Sequence, residues 1–197
     1  MRAAERGFQI IELVVGLAVM SVLLTLSVPP LLEMAGDLRV RLAAQELVGT
    51  LRLARAWAIR YDANVAVKFD RDDEGCVTFA FYRDGDEDGV RNRDIDSGVD
   101  TEVLPPRRLA HLTRYVDFGF PPDRRPRDPG SPRRYLSTDD PIRFNESDLA
   151  SFGPLGTSTP GSLYVTDGRS RLAVVRVFGR TGKVKVLTYD FDEEVWE

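Results

Sequence analysis

An α+β architecture, with one long N-terminal helix packed on antiparallel β-structure, is predicted by three observations. Residues 13–32 contain no charged side chain. Between Asp37 and Tyr61, apolar residues recur at three- and four-residue spacing. From Asn64 onward, short runs alternate with period two and are separated by Gly-, Pro- and Asp-rich stretches. A helix followed by a series of strands segregates the two kinds of structure into separate layers.

The chain has 197 residues, enough for one globular domain and an appendage. Hydrophobic residues make up 43% and charged residues 29%, the balance of a folded protein rather than a disordered one. Net charge is −4, and because Arg2 and Arg6 offset Glu5 and Glu12, all of it belongs to the chain beyond residue 32. Such a domain has no bulk attraction for DNA or anionic lipid. Cys76 is the single cysteine, so no internal disulfide forms. It borders an apolar run and has no neighbouring His or Cys to activate it, and it reads as a buried free thiol.

The first element is the apolar run. Roughly 20 apolar residues cross a bilayer core of about 30 Å, and residues 13–32 just reach that length. The short basic leader before it keeps the N-terminus cytoplasmic and sends the remainder across. A secretory signal peptide would end in a small-x-small cleavage site. Here the run is followed by Pro29, Pro30, Leu31, Leu32 and Glu33. A plain anchor accounts for the length but not for Glu12, which lies about one turn into the apolar stretch. A carboxylate at that depth is costly unless it reaches the headgroups or finds a positive partner.

The segment Gly7-Phe8-Gln9-Ile10-Ile11-Glu12-Leu13 resembles the processing motif of type IV prepilins and pseudopilins. The resemblance implies a pilin-like fold and cleavage by a prepilin peptidase between Gly7 and Phe8, with N-methylation of Phe8. It also implies that Glu12 neutralises the N-terminal amine of an adjacent subunit, and that Pro29 is the helix-bending proline. Gln9 stands where Thr or Ser is more usual. The implied organisation is a leader at 1–7, a transmembrane and assembly helix at 8–32, an amphipathic continuation at 33–61 and a β-rich periplasmic domain at 62–197. Expected partners are other pseudopilins or pilins, the peptidase and an inner-membrane assembly platform. An apolar helix that moves from lipid into a filament core is never exposed to water. An unpaired charge in that core is costly, so pairing at Glu12 would set the axial register.

In the second half of the helix, the expected buried stripe is Leu38, Leu42, Leu47, Leu51, Ala54 and Ala58, flanked by Val48 and Trp57. Arg39, Arg41, Arg52, Arg55 and Arg60 fall largely on other faces. Strands are expected at 65–69, 76–82, 114–120, 162–166, 172–178 and 183–189, with turns at Asp167-Gly168 and Thr181-Gly182. Residues 47–60, 152–165 and 175–183 are similar to the two ends of the H-type minor pseudopilin (GspH/FimT-like) domain, while residues 84–150 match least. This resemblance implies a minor pseudopilin of type II secretion. A FimT-like minor pilin acting in assembly, adhesion or DNA uptake is the close alternative, and a membrane-anchored periplasmic hydrolase is the one from a different class.

Two charged segments remain. Residues 84–96 resemble an EF-hand-type calcium loop. Calcium takes six to eight hard oxygens, and carboxylates at alternate positions converge when a glycine permits a tight turn. Asp84, Asp86 and Asp88 fill the first, third and fifth positions, Gly89 the sixth and the Val90 carbonyl the seventh. The twelfth is Ile95, leaving Asp94 and Asp96 as its flanking substitutes. The expected ligand is a structural Ca2+; the alternative is an acidic, solvated loop. Residues 123–134 cluster Arg124, Arg125, Arg127, Arg133 and Arg134 among prolines. They read as a flexible, solvated loop or, alternatively, as a contact for an acidic partner or nucleic acid. The acidic residues 190–197 would repel DNA, so a nucleic-acid partner is not expected. His111 is the sole histidine and no phosphate-binding glycine loop follows a strand, so no enzyme is expected; Asp100, His111 and a serine are too dispersed to suggest a triad.

Overall fold

The computed structural model describes residues 10–71, 77–108, 115–145 and 147–197. It divides into two compact units, Met1–Asp37 and Leu38–Glu197. One helix, α1 (Ile10–Tyr61, 52 residues), contributes to both.

In the first unit the helix is long and apolar enough to cross a membrane. Its large apolar side chains, from Ile10 to Met34, are all exposed. The two hydroxyls in this stretch are satisfied within the helix. Ser21 Oγ donates to the Leu17 carbonyl and Thr25 Oγ1 to the Ser21 carbonyl, each at 2.8 Å. Such back-bonding leaves neither hydroxyl proton seeking water. The helix runs on through Pro29 and Pro30. Neither proline has an N–H, so the carbonyls of Thr25 and Leu26 lose their helical donors.

In the second unit, α1 is amphipathic. Val40, Ala43, Ala44, Leu47, Val48, Leu51, Ala54 and Ala58 are buried. The expected stripe holds from Leu47 onward and is corrected before it. Leu38 and Leu42 are 58% and 40% exposed, and Val40, Ala43 and Ala44 take the inward positions. The small alanines let the helix approach the sheets closely.

Among the described residues, twelve strands follow: β1 (Val65–Arg71), β2 (Val77–Arg83), β3 (Thr101–Arg108), β4 (Asp117–Phe118), β5 (Arg127–Asp128), β6 (Ser131–Tyr135), β7 (Ile142–Arg143), β8 (Leu149–Phe152), β9 (Gly161–Thr166), β10 (Leu172–Phe178), β11 (Lys183–Asp190) and β12 (Val195–Trp196). A short helix, α2 (Asn92–Ser97), lies between β2 and β3. The first sheet has the order β3-β2-β1-β8; the second has β12-β11-β10-β9-β4, with β7 also pairing β9; β5 and β6 form a separate hairpin. Every pairing is antiparallel.

Alternation sorts the side chains. Val65, Val67, Phe79, Phe81 and Phe152 of the first sheet join Leu163, Val165, Ala173, Val175 and Val177 of the second and the buried face of α1 in one core. The opposite face of the second sheet carries Tyr164, Leu172, Val174 and Tyr189, covered by Leu136, Phe120, Phe191 and Trp196. The opposite face of the first sheet carries Ala66 and Leu149, covered by Val90 and Ile95. Both charged segments singled out above therefore lie against the outer face of a sheet.

The strand expectations hold at β1, β2, β9, β10 and β11, although Cys76 lies outside the described residues. The expected strand at 114–120 shrinks to Asp117–Phe118, and Arg114 lies outside the described residues. The strand beside β2 is β3, which contains Pro105 and Pro106. Prolines are tolerated there because β3 is an edge. The expected flexible loop at 123–134 contains an ordered hairpin. Arg127 N–H donates to the Tyr189 hydroxyl at 3.1 Å, and Trp196 Nε1 donates to the Arg127 carbonyl at 2.7 Å.

Candidate functional site

Of the residues expected to act in processing and assembly, Gly7 and Phe8 lie outside the described residues. Glu12 is exposed in the first turn of α1, where a carboxylate complements the positive end of the helix dipole. Pro29 lies inside α1, within the apolar segment.

The acidic loop is built on Asp84, at the end of β2. This residue is only 7% exposed. Oδ2 accepts from Asn64 Nδ2 at 2.7 Å and from the Gly89 amide at 2.9 Å, while Oδ1 accepts from the Glu87 amide at 2.9 Å. Burial raises the Asp84 pKa, but these donors, with the Asp86 amide, outweigh burial and hold it below its ordinary value. Two glycines permit the turn. A Cβ on Gly85 would lie 2.0 Å from the Val99 carbonyl oxygen, and Gly89 has φ +92°.

The carboxylates of Asp84, Asp86 and Asp88 come together, with one oxygen of each within 4.8 Å of the others. Asp94 and Asp96 do not join this group. Asp94 accepts from Arg93 Nε at 3.2 Å, and Asp96 is exposed. Ile95, at the position where a bidentate carboxylate would stand, packs against the apolar patch of Ala66, Val90 and Leu149. Asp88 pairs with Arg91 and, at 3.3 Å, with Arg93. The carboxylate cluster fits a hard cation in its donor type, yet part of its charge is already met by these two guanidinium groups.

Asp100 completes the loop and was not legible as part of it. It is 2% exposed; Oδ1 accepts from the Gly85 amide at 3.1 Å and Oδ2 from the Arg91 amide at 2.9 Å. Sixteen residues beyond Asp84, it falls outside a twelve-residue loop template. Its carboxylate is thus engaged in loop closure, and the other imagined triad member, His111, lies outside the described residues.

The arginine segment is largely tied down internally. Arg127 Nε donates to Glu194 at 3.1 Å and its guanidinium lies over the Tyr135 ring, while Arg124 lies over Phe191. A cavity of about 760 Å³ opens beside them, lined by Phe118, Phe120, Pro121, Arg124, Arg125 and Tyr135.

Residues 43–181 match the family model described as "Type II transport protein GspH". The chain belongs to the GspH family. The match covers most of the second unit, including the first sheet, the acidic loop and the second sheet as far as β10 but not β11 or β12, and begins inside α1, so the processing motif lies outside it. Searches of curated proteins and of solved structures find no match. As a GspH-family chain it joins a long N-terminal helix to antiparallel sheets, the fold class expected from its sequence.

Proposed function

We propose that this GspH-family chain is a minor pseudopilin of a type II secretion pseudopilus and helps export folded proteins across the outer membrane. The family match over residues 43–181 carries this reading. In this reading the protein is a structural subunit rather than an enzyme. Its apolar helix holds it in the inner membrane with the N-terminus cytoplasmic and the β-rich domain periplasmic. Cleavage between Gly7 and Phe8 frees the amine, and Glu12 then pairs with a neighbouring subunit's amine as the helix leaves the lipid.

Mass spectrometry of the mature chain should find methylated Phe8 at the N-terminus, and Gly7→Ala should leave the leader attached. A Glu12→Ala strain should insert the protein normally yet lose export of type II substrates into the medium. Wild-type export in that strain would overturn the assembly role. Intact export with loss of pilus-dependent motility or DNA uptake would assign the chain to a type IV pilus instead.

We further propose that Asp84, Asp86, Asp88 and the Val90 carbonyl take a structural calcium ion in competition with Arg91. Calcium should raise the melting temperature, Asp86→Ala should remove the gain, and Arg91→Gln should enlarge it. The absence of a shift in all three proteins would leave a loop closed by its own side chains.

A further inference from the structure

Two turns of the second unit meet over one side of α1. The first, between β8 and β9, is Gly153-Pro154-Leu155-Gly156. Its Gly156 N–H donates to the Gly153 carbonyl at 3.0 Å, with proline and glycine at the second and fourth positions that such turns favour. The Gly153 N–H ties the base by donating to the Thr157 carbonyl at 2.9 Å. The second turn, between β10 and β11, is closed by the Gly182 N–H on the Phe178 carbonyl at 2.9 Å. A bond from the Ser158 N–H to the Gly179 carbonyl, at 2.8 Å, joins the two segments. The first turn is thus well fixed, yet its tip residue, Leu155, is 94% exposed.

Arg55 of α1 lies against both turns. A Cβ on Gly156 would stand 3.2 Å from its Nη2, and one on Gly182 3.2 Å from its Nε. Nε is buried and has no hydrogen-bond partner. Among the described residues, nothing accepts a bond from Arg55, and no ion pair engages Arg52, Arg55 or Arg180. Asp62, the carboxylate nearest to Arg55 in sequence, is not bonded to it. Arg52 and Ile59 are exposed on the same side of α1 as Arg55, at helical spacing, and Arg180 is exposed in the second turn. A single exposed leucine needs no explanation. A half-buried guanidinium without an acceptor does, because the fold bears its desolvation and gains no bond in return.

We propose that Arg55, Ile59 and Leu155 form a docking surface for an acidic amphipathic helix of another protein. The apolar side of that helix would cover Leu155 and Ile59. Its carboxylates would accept from the terminal nitrogens of Arg55, with Arg52 and Arg180 at the rim. Only Nε of Arg55 is buried, so the terminal nitrogens are open to such a partner. The charge decides the occupant, since all three guanidinium groups lack a carboxylate. A second copy presenting its own exposed face of α1 is a poor fit, because it brings Arg39, Arg41, Arg52 and Arg60 and sets like charges together. This surface stands whether or not the chain enters a secretion pseudopilus.

The test uses the full-length protein in neutral detergent micelles and two labelled peptides of about eighteen residues, long enough to form a helix. Both carry leucines at helical spacing; one is otherwise rich in glutamate and the other in lysine. Fluorescence anisotropy should show the glutamate peptide bound, more weakly as salt rises, and the lysine peptide unbound. Arg55→Met keeps an apolar stem against the two turns and removes the charge. It should weaken the glutamate peptide about tenfold, while the melting temperature stays level or rises. Leu155→Ser should also weaken it about tenfold, with an unchanged melting temperature. A purely structural Arg55 would do the reverse, with Arg55→Met lowering the melting temperature and sparing binding. That result, binding of neither peptide or of both equally, or full binding in both variants would overturn the proposal. Dimerisation of the wild-type protein lost in Leu155→Ser would also overturn it and give the surface to a second copy.

Discussion

Within α1, Leu17, Leu24 and Leu32 are exposed, whereas Leu47 and Leu51 are fully buried. The two stretches share a helix and a preference for leucine but differ in arrangement. From Ile10 to Met34 the apolar side chains go all the way round, an arrangement suited to an apolar surrounding rather than to one partner surface. From Val40 to Ala58 they keep to one side and the chain supplies its own cover, two antiparallel sheets. One half is thus built for an external environment and the other for an internal one, and substitutions in the two should have different consequences.

The largest contrast is expected from paired truncations. Leu51→Ala removes a core side chain and should cost about 2–5 kcal/mol, seen as a lower melting temperature of the full-length protein in micelles. Leu24→Ala should stay within about 0.5 kcal/mol. Equal losses would break the comparison. Within the second unit, Asp84→Ala strips partners from Asn64 and from the Glu87 and Gly89 amides and should cost about 1–3 kcal/mol. Acid should act on the same group. Because its pKa is depressed in the fold, the stability contributed by Asp84 is fully present above its ordinary value of 3.8 and is lost as pH falls through the lower folded-state value. Acid titration of the melting temperature should therefore show a drop in that window that is absent in Asp84→Asn. The smallest effect is expected at the surface. Glu194→Gln removes an exposed ion pair with Arg127 and should leave the melting temperature unchanged at physiological salt.

Legibility in the sequence followed the range of the contacts involved. β10 spans residues 172–178 as expected, because an alternating apolar run between two turn signals states its own structure. The helix was legible for the same reason, except that Leu38 and Leu42 looked inward by spacing alone and the alanines beside them did not. β3 was hidden by Pro105 and Pro106, which argue against a strand unless it is known to be an edge. The arginine hairpin was hidden by distance, since its anchors Tyr189 and Trp196 lie more than sixty residues away and no local pattern connects them. In the acidic loop the carboxylates at alternate positions were legible, whereas the second buried carboxylate, Asp100, and the packing of Ile95 were not. Both depend on how the loop folds back over the first sheet.

That fold-back also predicts how this loop breathes. Surface loops ordinarily exchange their amide hydrogens with solvent quickly, because no ladder holds them. Here the amides of Gly85, Glu87, Gly89 and Arg91 are held by two buried carboxylates, Asp84 and Asp100. Deuterium should enter them slowly and together, as a single opening unit, in a stretch that is otherwise exposed and dense in charge.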